Sequence, residues 1–113
     1  MLSRKYRLTK NKDFARVAQQ GEFYRGHYFN LKWIENNLDC SRFGIVVSLK
    51  VDKKAVARNK IKRRLRAMIR ENLGQIVSGY DFLILTKNNI KLLSYAEIKI
   101  ELFRVLKNKG LIK

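Results

Sequence analysis

From Lys54 to Leu73 the residues Ala57, Ile61, Leu65 and Met68, followed by Asn72 or Leu73, recur at the spacing that sets them on one stripe of a helix, with Gly74 as the expected stop. A long helix with one oily stripe must lie against another element. Its other face is of a different kind. Seven of the thirteen residues from Arg58 to Arg70 are basic (Arg58, Lys60, Lys62, Arg63, Arg64, Arg66 and Arg70), and none of the thirteen is acidic. At about 100° per residue, Asn59, Arg63, Arg66 and Arg70 cluster opposite the Ile61, Leu65 and Met68 stripe, with Lys62 beside them. A solvated face normally mixes signs, so that pairs three or four residues apart relieve repulsion. Nothing within this helix relieves it. The face is expected to meet a polyanion, and its preference for Arg suits two-pronged contact with phosphate.

The rest of the chain points the same way. Against 26 Lys and Arg stand 9 Asp and Glu, a net charge of +17 on 13.4 kDa. Such self-repulsion is tolerated mainly where nucleic acid or an anionic membrane is the partner. A membrane-surface helix would carry bulky aromatics on its apolar face; this one has only aliphatics, which suit packing on a sheet, so nucleic acid leads. At 113 residues and 46% hydrophobic content, one core and a single domain are expected. Cys40 has no second cysteine to pair with. The start has no apolar stretch of signal-peptide length, and no apolar run approaches the roughly 18 residues that span a bilayer. The expectation is a soluble, cytoplasmic protein.

No proline, linker or repeat divides the chain. Thr9 is expected to cap a helix to about residue 20, with Phe14, Val17 and Ala18 at helical spacing and Gly21 as a left-handed stop. From His27, Phe29, Leu31 and Trp33 alternate with Tyr28, Asn30 and Lys32, which is strand period. Asn36 to Ser41 is turn-forming. Alternation resumes from Arg42 to Lys50, with Phe43, Ile45, Val47 and Leu49 on one face and Arg42, Gly44, Val46, Ser48 and Lys50 on the other, so these two strands are expected to form an antiparallel hairpin. Tyr80 to Thr86 is a compact apolar strand. Ser94 and Glu97 form a capping box ahead of a helix to about Lys109, with Gly110 beyond. The order reads αβββα or αββαβα, an α+β class.

Signs of self-contained catalysis are absent from this pattern. His27 is the only histidine and has no Cys, Ser or carboxylate at telling spacing, and the nine acids are scattered. Neither of the glycine-rich phosphate motifs G-x-x-x-x-G-K-[ST] and G-x-G-x-x-G occurs. The strand aromatics Phe23, Tyr24, Tyr28, Phe29, Trp33 and Phe43 are candidate stacking platforms for single-stranded bases, although most are expected in the core. The polar strand set Tyr28, Asn30, Lys32, Ser48 and Lys50 is the better candidate for contact with single-stranded bases.

The segment Ala55-Val56-Ala57-Arg58-Asn59-Lys60-Ile61-Lys62-Arg63-Arg64-Leu65-Arg66 resembles the A-V-x-R-N-x-x-K-R-x-x-R signature of the bacterial ribonuclease P protein component. Arg7 to Phe14 ahead of Gly21 looks like that family's opening helix, Phe43 to Ser48 like its central strand and Tyr80 to Leu85 like its last. The resemblance implies an αβββαβα sandwich with a left-handed βαβ crossover, contrary to the usual hand and shared with a domain of a ribosomal protein. It also implies the small subunit of a ribonucleoprotein that removes the 5′ leader of precursor tRNA, with magnesium (Mg2+) and the catalytic groups held by the RNA subunit. Arg58, Asn59, Lys60, Lys62, Arg63, Arg66 and, one turn on, Arg70 would then face the catalytic RNA. Phe14, Ser48 and Lys50 match the leader cleft, joined by Tyr28, Asn30 and Lys32. No membrane and no obligate protein partner is indicated.

Departures from the family pattern bear on that cleft. Lys60 stands where an Arg is common, Ala18 where many members have a second aromatic, and Asn30 and Lys32 replace apolar or aromatic residues. Leader binding is expected to be more electrostatic and less stacked than usual. The Val51 to Lys54 linker lacks the usual glycine, which leaves the position of Lys53 and Lys54 open. Two other readings compete: a ribosomal or other RNA-packing protein, and a DNA-binding regulator with the basic helix in the major groove. The regulator would need a helix just upstream, where residues 42 to 50 read as strand.

Overall fold

The computed structural model describes residues 2–113. Three helices, α1 (Asn11–Gln20), α2 (Ala55–Glu71) and α3 (Tyr95–Asn108), join four strands, β1 (Glu22–Arg25), β2 (Phe29–Glu35), β3 (Arg42–Val46) and β4 (Tyr80–Thr86), in the order αβββαβα. The strands form one sheet in the spatial order β1-β2-β4-β3. β1 and β2 pair antiparallel, β2 and β4 antiparallel, and β3 and β4 parallel. β3, α2 and β4 are therefore the parallel strand-helix-strand unit that the resemblance implies.

The expected antiparallel hairpin between β2 and β3 does not form, because β4 lies between them. The reason is that Phe82, Leu83 and Ile84 are buried in succession, and a strand oily on both faces belongs at a sheet's centre. The 36 to 41 turn is built to admit it. Asn36 Nδ2 donates to Asp81 Oδ1 at 2.9 Å, Ser41 Oγ donates to the Val77 carbonyl at 2.6 Å, and the Tyr80 amide donates to Ser41 Oγ at 3.0 Å. These bonds hold the entry of β4 instead of closing a hairpin. The hairpin that does form is β1 with β2, from Glu22 opposite Trp33 to Arg25 opposite Asn30. Alternation from His27 onward does not delimit β1.

Each sheet face has its own core. Phe29, Leu31, Trp33, Phe43, Ile45, Phe82 and Ile84 pack with Leu65, Met68 and Ile69 of α2 and with Ile98, Leu102, Val105 and Leu106 of α3. The Phe43 and Phe82 rings stack at 5.1 Å. On the opposite face Leu83 is covered by Leu8 and Val17, with Phe14, Ile34 and Leu85 around them. At roughly 1.5–3 kcal/mol per buried aliphatic or aromatic side chain, the first core dominates stability and the second seats α1. Leu49 leaves the expected inward face and is 66% exposed, because the chain turns at Ser48, whose carbonyl accepts from the Val51 amide at 3.0 Å.

The helix ends depart from the sequence expectations in three places. α1 has Lys10, not Thr9, at its N-terminal cap, with no side-chain bond; the Lys10 carbonyl accepts from Asp13 and Phe14 amides. Gly21 is extended, with φ −73°, and not left-handed. Glycine is needed there for space, since a Cβ would lie 2.5 Å from the Val17 carbonyl oxygen and 3.0 Å from that of Trp33. α2 stops at Glu71, before Gly74, where the Asn72 side chain folds back to donate to the Met68 carbonyl at 2.9 Å. The ends of α3 follow the sequence. Ser94 and Glu97 form the capping box, and Gly110 takes φ +72° while the Leu111 amide donates to the Leu106 carbonyl at 2.8 Å.

Candidate nucleic-acid interface

The stripe of α2 works as its spacing predicts: Leu65, Met68 and Ile69 are buried against the sheet. The opposite side carries a groove of about 600 Å³ lined by Val56, Asn59, Lys62, Arg63, Arg66 and Ala67. Four of the seven candidates on this helix thus converge. Lys60 and Arg70 are exposed outside the groove. Arg58 has a different occupation, its Nη1 donating to the carbonyls of Asp52 at 3.1 Å and Lys53 at 2.9 Å, so it ties down the linker that leads into the helix.

The groove is positively charged and lacks described acidic partners. Among the described residues no ion pair involves a basic residue of α2, and no acid occupies its first turn to meet the positive end of the helix dipole. Burial, and secondarily the charge of Arg7, pushes the Arg66 guanidinium below its ordinary value. Arg7 Nε is itself buried with no hydrogen-bond partner among the described residues. Phosphate oxygens would stabilise the charge of Arg66, which lines the groove.

A second surface lies on the α1 side of the sheet. Its floor begins at Gly44, where a Cβ would stand 2.6 Å from the Phe14 ring; the absent side chain is what lets α1 seat its aromatic on β3. The helix is held over the sheet ionically. Arg42 donates to Asp81 through Nε at 2.9 Å and Nη2 at 2.7 Å and reaches Asp13 of α1 at 3.4 Å. Arg16 of α1 lies 3.8 Å from the same Asp81. At the helix's other end Lys32 Nζ donates to the Ala18 carbonyl at 2.8 Å. Beyond α1 the cross-strand row Arg25, Asn30, Leu85 and Val46 is left partly open, with Val46 36% exposed. Past the ends of β3 and β4 this strip meets a groove of about 490 Å³ lined by Ser48, Lys50, Thr86, Lys87, Asn88 and Asn89.

Phe14, Asn30 and Lys32 therefore share one sheet face, and Ser48 and Lys50 continue from its β3 edge. Tyr28 does not join them. Its ring packs against the main core, because the strand begins only at Phe29 and the Tyr28 carbonyl is fixed by the Lys87 amide at 2.9 Å. Lys53 and Lys54 are exposed in the linker, whose Asp52 accepts from the Lys54 amide. Sequence reasoning missed Thr86 to Asn89, since only the parallel pairing of β3 with β4 brings them to Ser48. It also missed Asp81, although a single acid inside an apolar strand signals a buried partner. Among the described residues there is no group of three or more His, Cys, Asp or Glu that could hold a metal ion.

These surfaces can be set beside known proteins. The family model for ribonuclease P matches residues 2–110. The chain belongs to the ribonuclease P protein family. It is 39% identical over 94% of its length to the ribonuclease P protein component of a Pseudanabaena strain, covering 92% of that protein. It is 40% identical to that of Fusobacterium nucleatum, over 93% of this chain and 97% of the relative. The solved ribonuclease P protein of Staphylococcus aureus superposes with a TM-score of 0.86 at 31% identity, over 96% and 98% of the two chains. That of Thermotoga maritima gives 0.81 at 31%, over 90% and 96%. The α+β fold and the role as the protein component of ribonuclease P, an RNA-binding subunit in tRNA processing, thus stand as the α2 motif implied. The upstream helix that a DNA-binding regulator needs is replaced by β3, and no helix among the described residues is long and apolar enough to cross a membrane.

Proposed function

We propose that this ribonuclease P protein acts as one RNA-binding domain in the cytoplasm, with the α2 groove docked on the catalytic RNA and the open strip beside α1 holding the 5′ leader of precursor tRNA. The observation that carries the reading is the α2 groove, where Asn59, Lys62, Arg63 and Arg66 converge without a described acidic partner. Phosphates of a folded RNA supply what the groove lacks. The strip suits a single strand instead: Phe14 offers a ring edge, Asn30 an amide, and Lys50 and Lys87 cations where the chain would leave the sheet. Cleavage chemistry and magnesium are assigned to the RNA subunit, and the protein contributes affinity and position.

Reconstitution with a ribonuclease P catalytic RNA tests this reading. The holoenzyme is expected to prefer precursor over mature tRNA, while the protein alone cleaves neither. Lys50 is exposed and outside both cores, so Lys50→Ala should leave the melting temperature unchanged. It should weaken precursor binding alone and flatten its log K against log salt slope by about 0.7, the value for one single-strand phosphate contact. Equal weakening for both RNAs would contradict the leader assignment.

A further inference from the structure

One exposed aromatic on the α1 side of the sheet has no role in the surfaces described above. Phe23 is 45% exposed, whereas its neighbour Tyr24 packs against the main core. Strand alternation accounts for the difference. Phe23 lies opposite Lys32, Lys32 opposite Leu83, and Leu83 opposite Gly44, so one row crosses the sheet from Phe23 on edge strand β1 to the seat of Phe14 on β3. Three strand spacings separate the row's ends, about 14 Å. α1 covers the middle of the row through Val17 and Leu83 but leaves Phe23 uncovered.

Two cations border the ring. Lys32 Nζ lies 5.4 Å and Arg25 Cζ 5.9 Å from its centroid, near the outer limit of about 6 Å for cation-π attraction. Lys32 is held by the Ala18 carbonyl, so its ammonium is positioned and keeps further donors. Arg25 is exposed, and no described ion pair includes it. A protein partner would want an apolar patch around the ring. What stands there is a single flat apolar surface between two positive charges, the complement of a nucleotide: a base to stack and a phosphate on either side.

We propose that Phe23 is a base-stacking platform for the 5′ leader, with Arg25 and Lys32 on the flanking phosphates. This rests on the leader reading above and extends it. The leader crosses the open row of Arg25, Asn30, Leu85 and Val46 between the Lys50 end and Phe23, so the platform takes a nucleotide at one end of that path and Lys50 a phosphate at the other.

The test uses holoenzyme reconstituted with the catalytic RNA and precursor tRNAs whose leaders are shortened one nucleotide at a time, with 2-aminopurine placed at successive leader positions. Phe23→Ala should lower affinity about tenfold, within the roughly 5- to 150-fold spanned by one base stack, for leaders beyond a threshold length. It should leave shorter leaders and mature tRNA unaffected. Fluorescence quenching at one leader position should disappear in Phe23→Ala, return in Phe23→Tyr and stay absent in Phe23→Leu, and thermal melts should match wild type. Unchanged affinity and quenching in Phe23→Ala, with the Lys50→Ala effect intact, would overturn the platform and keep the leader reading. Equal losses for precursor and mature tRNA would assign Phe23 to the catalytic RNA and overturn it too. If the wild-type holoenzyme does not distinguish leader lengths at all, both fall.

Discussion

Asp81→Ala is expected to remove about 3–5 kcal/mol of stability, a large part of the roughly 5–15 kcal/mol that holds a domain folded. Asp81 is fully buried, and three bonds reach it: Arg42 Nε at 2.9 Å and Asn36 Nδ2 at 2.9 Å on one oxygen, and Arg42 Nη2 at 2.7 Å on the other. Its hydrogen bonds are the main reason that the Arg42 guanidinium is held above its ordinary value. Deleting the carboxylate strands a half-buried charge and removes one of the two acceptors of the Asn36 amide, which keeps the Cys40 carbonyl at 3.1 Å. Arg42 retains Asp13 at 3.4 Å, which puts the expected loss toward the lower end. The damage should also spread to function, because Arg42 and Arg16 tether α1 and thereby the Phe14 ring. Asp81→Asn keeps one acceptor and should cost less. Urea unfolding of the three proteins gives the ranking, and a loss below about 1 kcal/mol for Asp81→Ala would contradict the network's role.

The double substitution Arg63→Met with Arg66→Met should act in the opposite sense on fold and binding. Both residues line the α2 groove, so two phosphate contacts are lost. The log K against log salt slope for the catalytic RNA should then flatten by about 1.4–1.8. The free protein should become no less stable, and Arg66→Met alone slightly more so. The sign follows from Arg66: burial and the nearby Arg7 lower its pKa in the folded chain, which means that folding disfavours its charge relative to the unfolded state. Solvent reaches much of the side chain, so the gain is small. Salt titrations of binding, with thermal melts of the RNA-free proteins, measure both. An unchanged slope would put the RNA elsewhere on the surface.

The parts of this molecule that could be read from sequence are those fixed by local periodicity. α2, β4 and the capped α3 follow from spacing alone, and the mixed faces of β2 and β3 follow from alternation. What depends on distant pairing could not be read. Nothing near Asn36 says that β4, some forty residues on, will separate β2 from β3, although the unbroken apolar run Phe82-Leu83-Ile84 marks β4 as central once a sheet is assumed. Gly21 was legible as a helix end but not as the close contact of α1 with Trp33. In the site, the α2 groove was legible because charge and period coincide on one element. Phe14 entered through a resemblance, since its spacing beside Val17 also suits a core position, and Gly44 beneath it looks unremarkable until the helix is placed. Phe23 stands among the candidate stacking aromatics, but nothing local separates it from those in the core, because edge and centre strands have similar compositions. Arg58, the first basic residue of the motif, serves the linker carbonyls in the free chain, a task that no charge pattern reveals.

The most direct measurement is site-specific photocrosslinking in the reconstituted holoenzyme, with the probe at Arg70 on the exposed side of α2 in one protein and at Val46 on the open strip in another. The account predicts crosslinks from position 70 to the catalytic RNA whether or not substrate is present. From position 46 it predicts crosslinks to the 5′ leader that vanish with mature tRNA. Leader crosslinks from α2, or catalytic-RNA crosslinks from the strip, would contradict the division of the two surfaces.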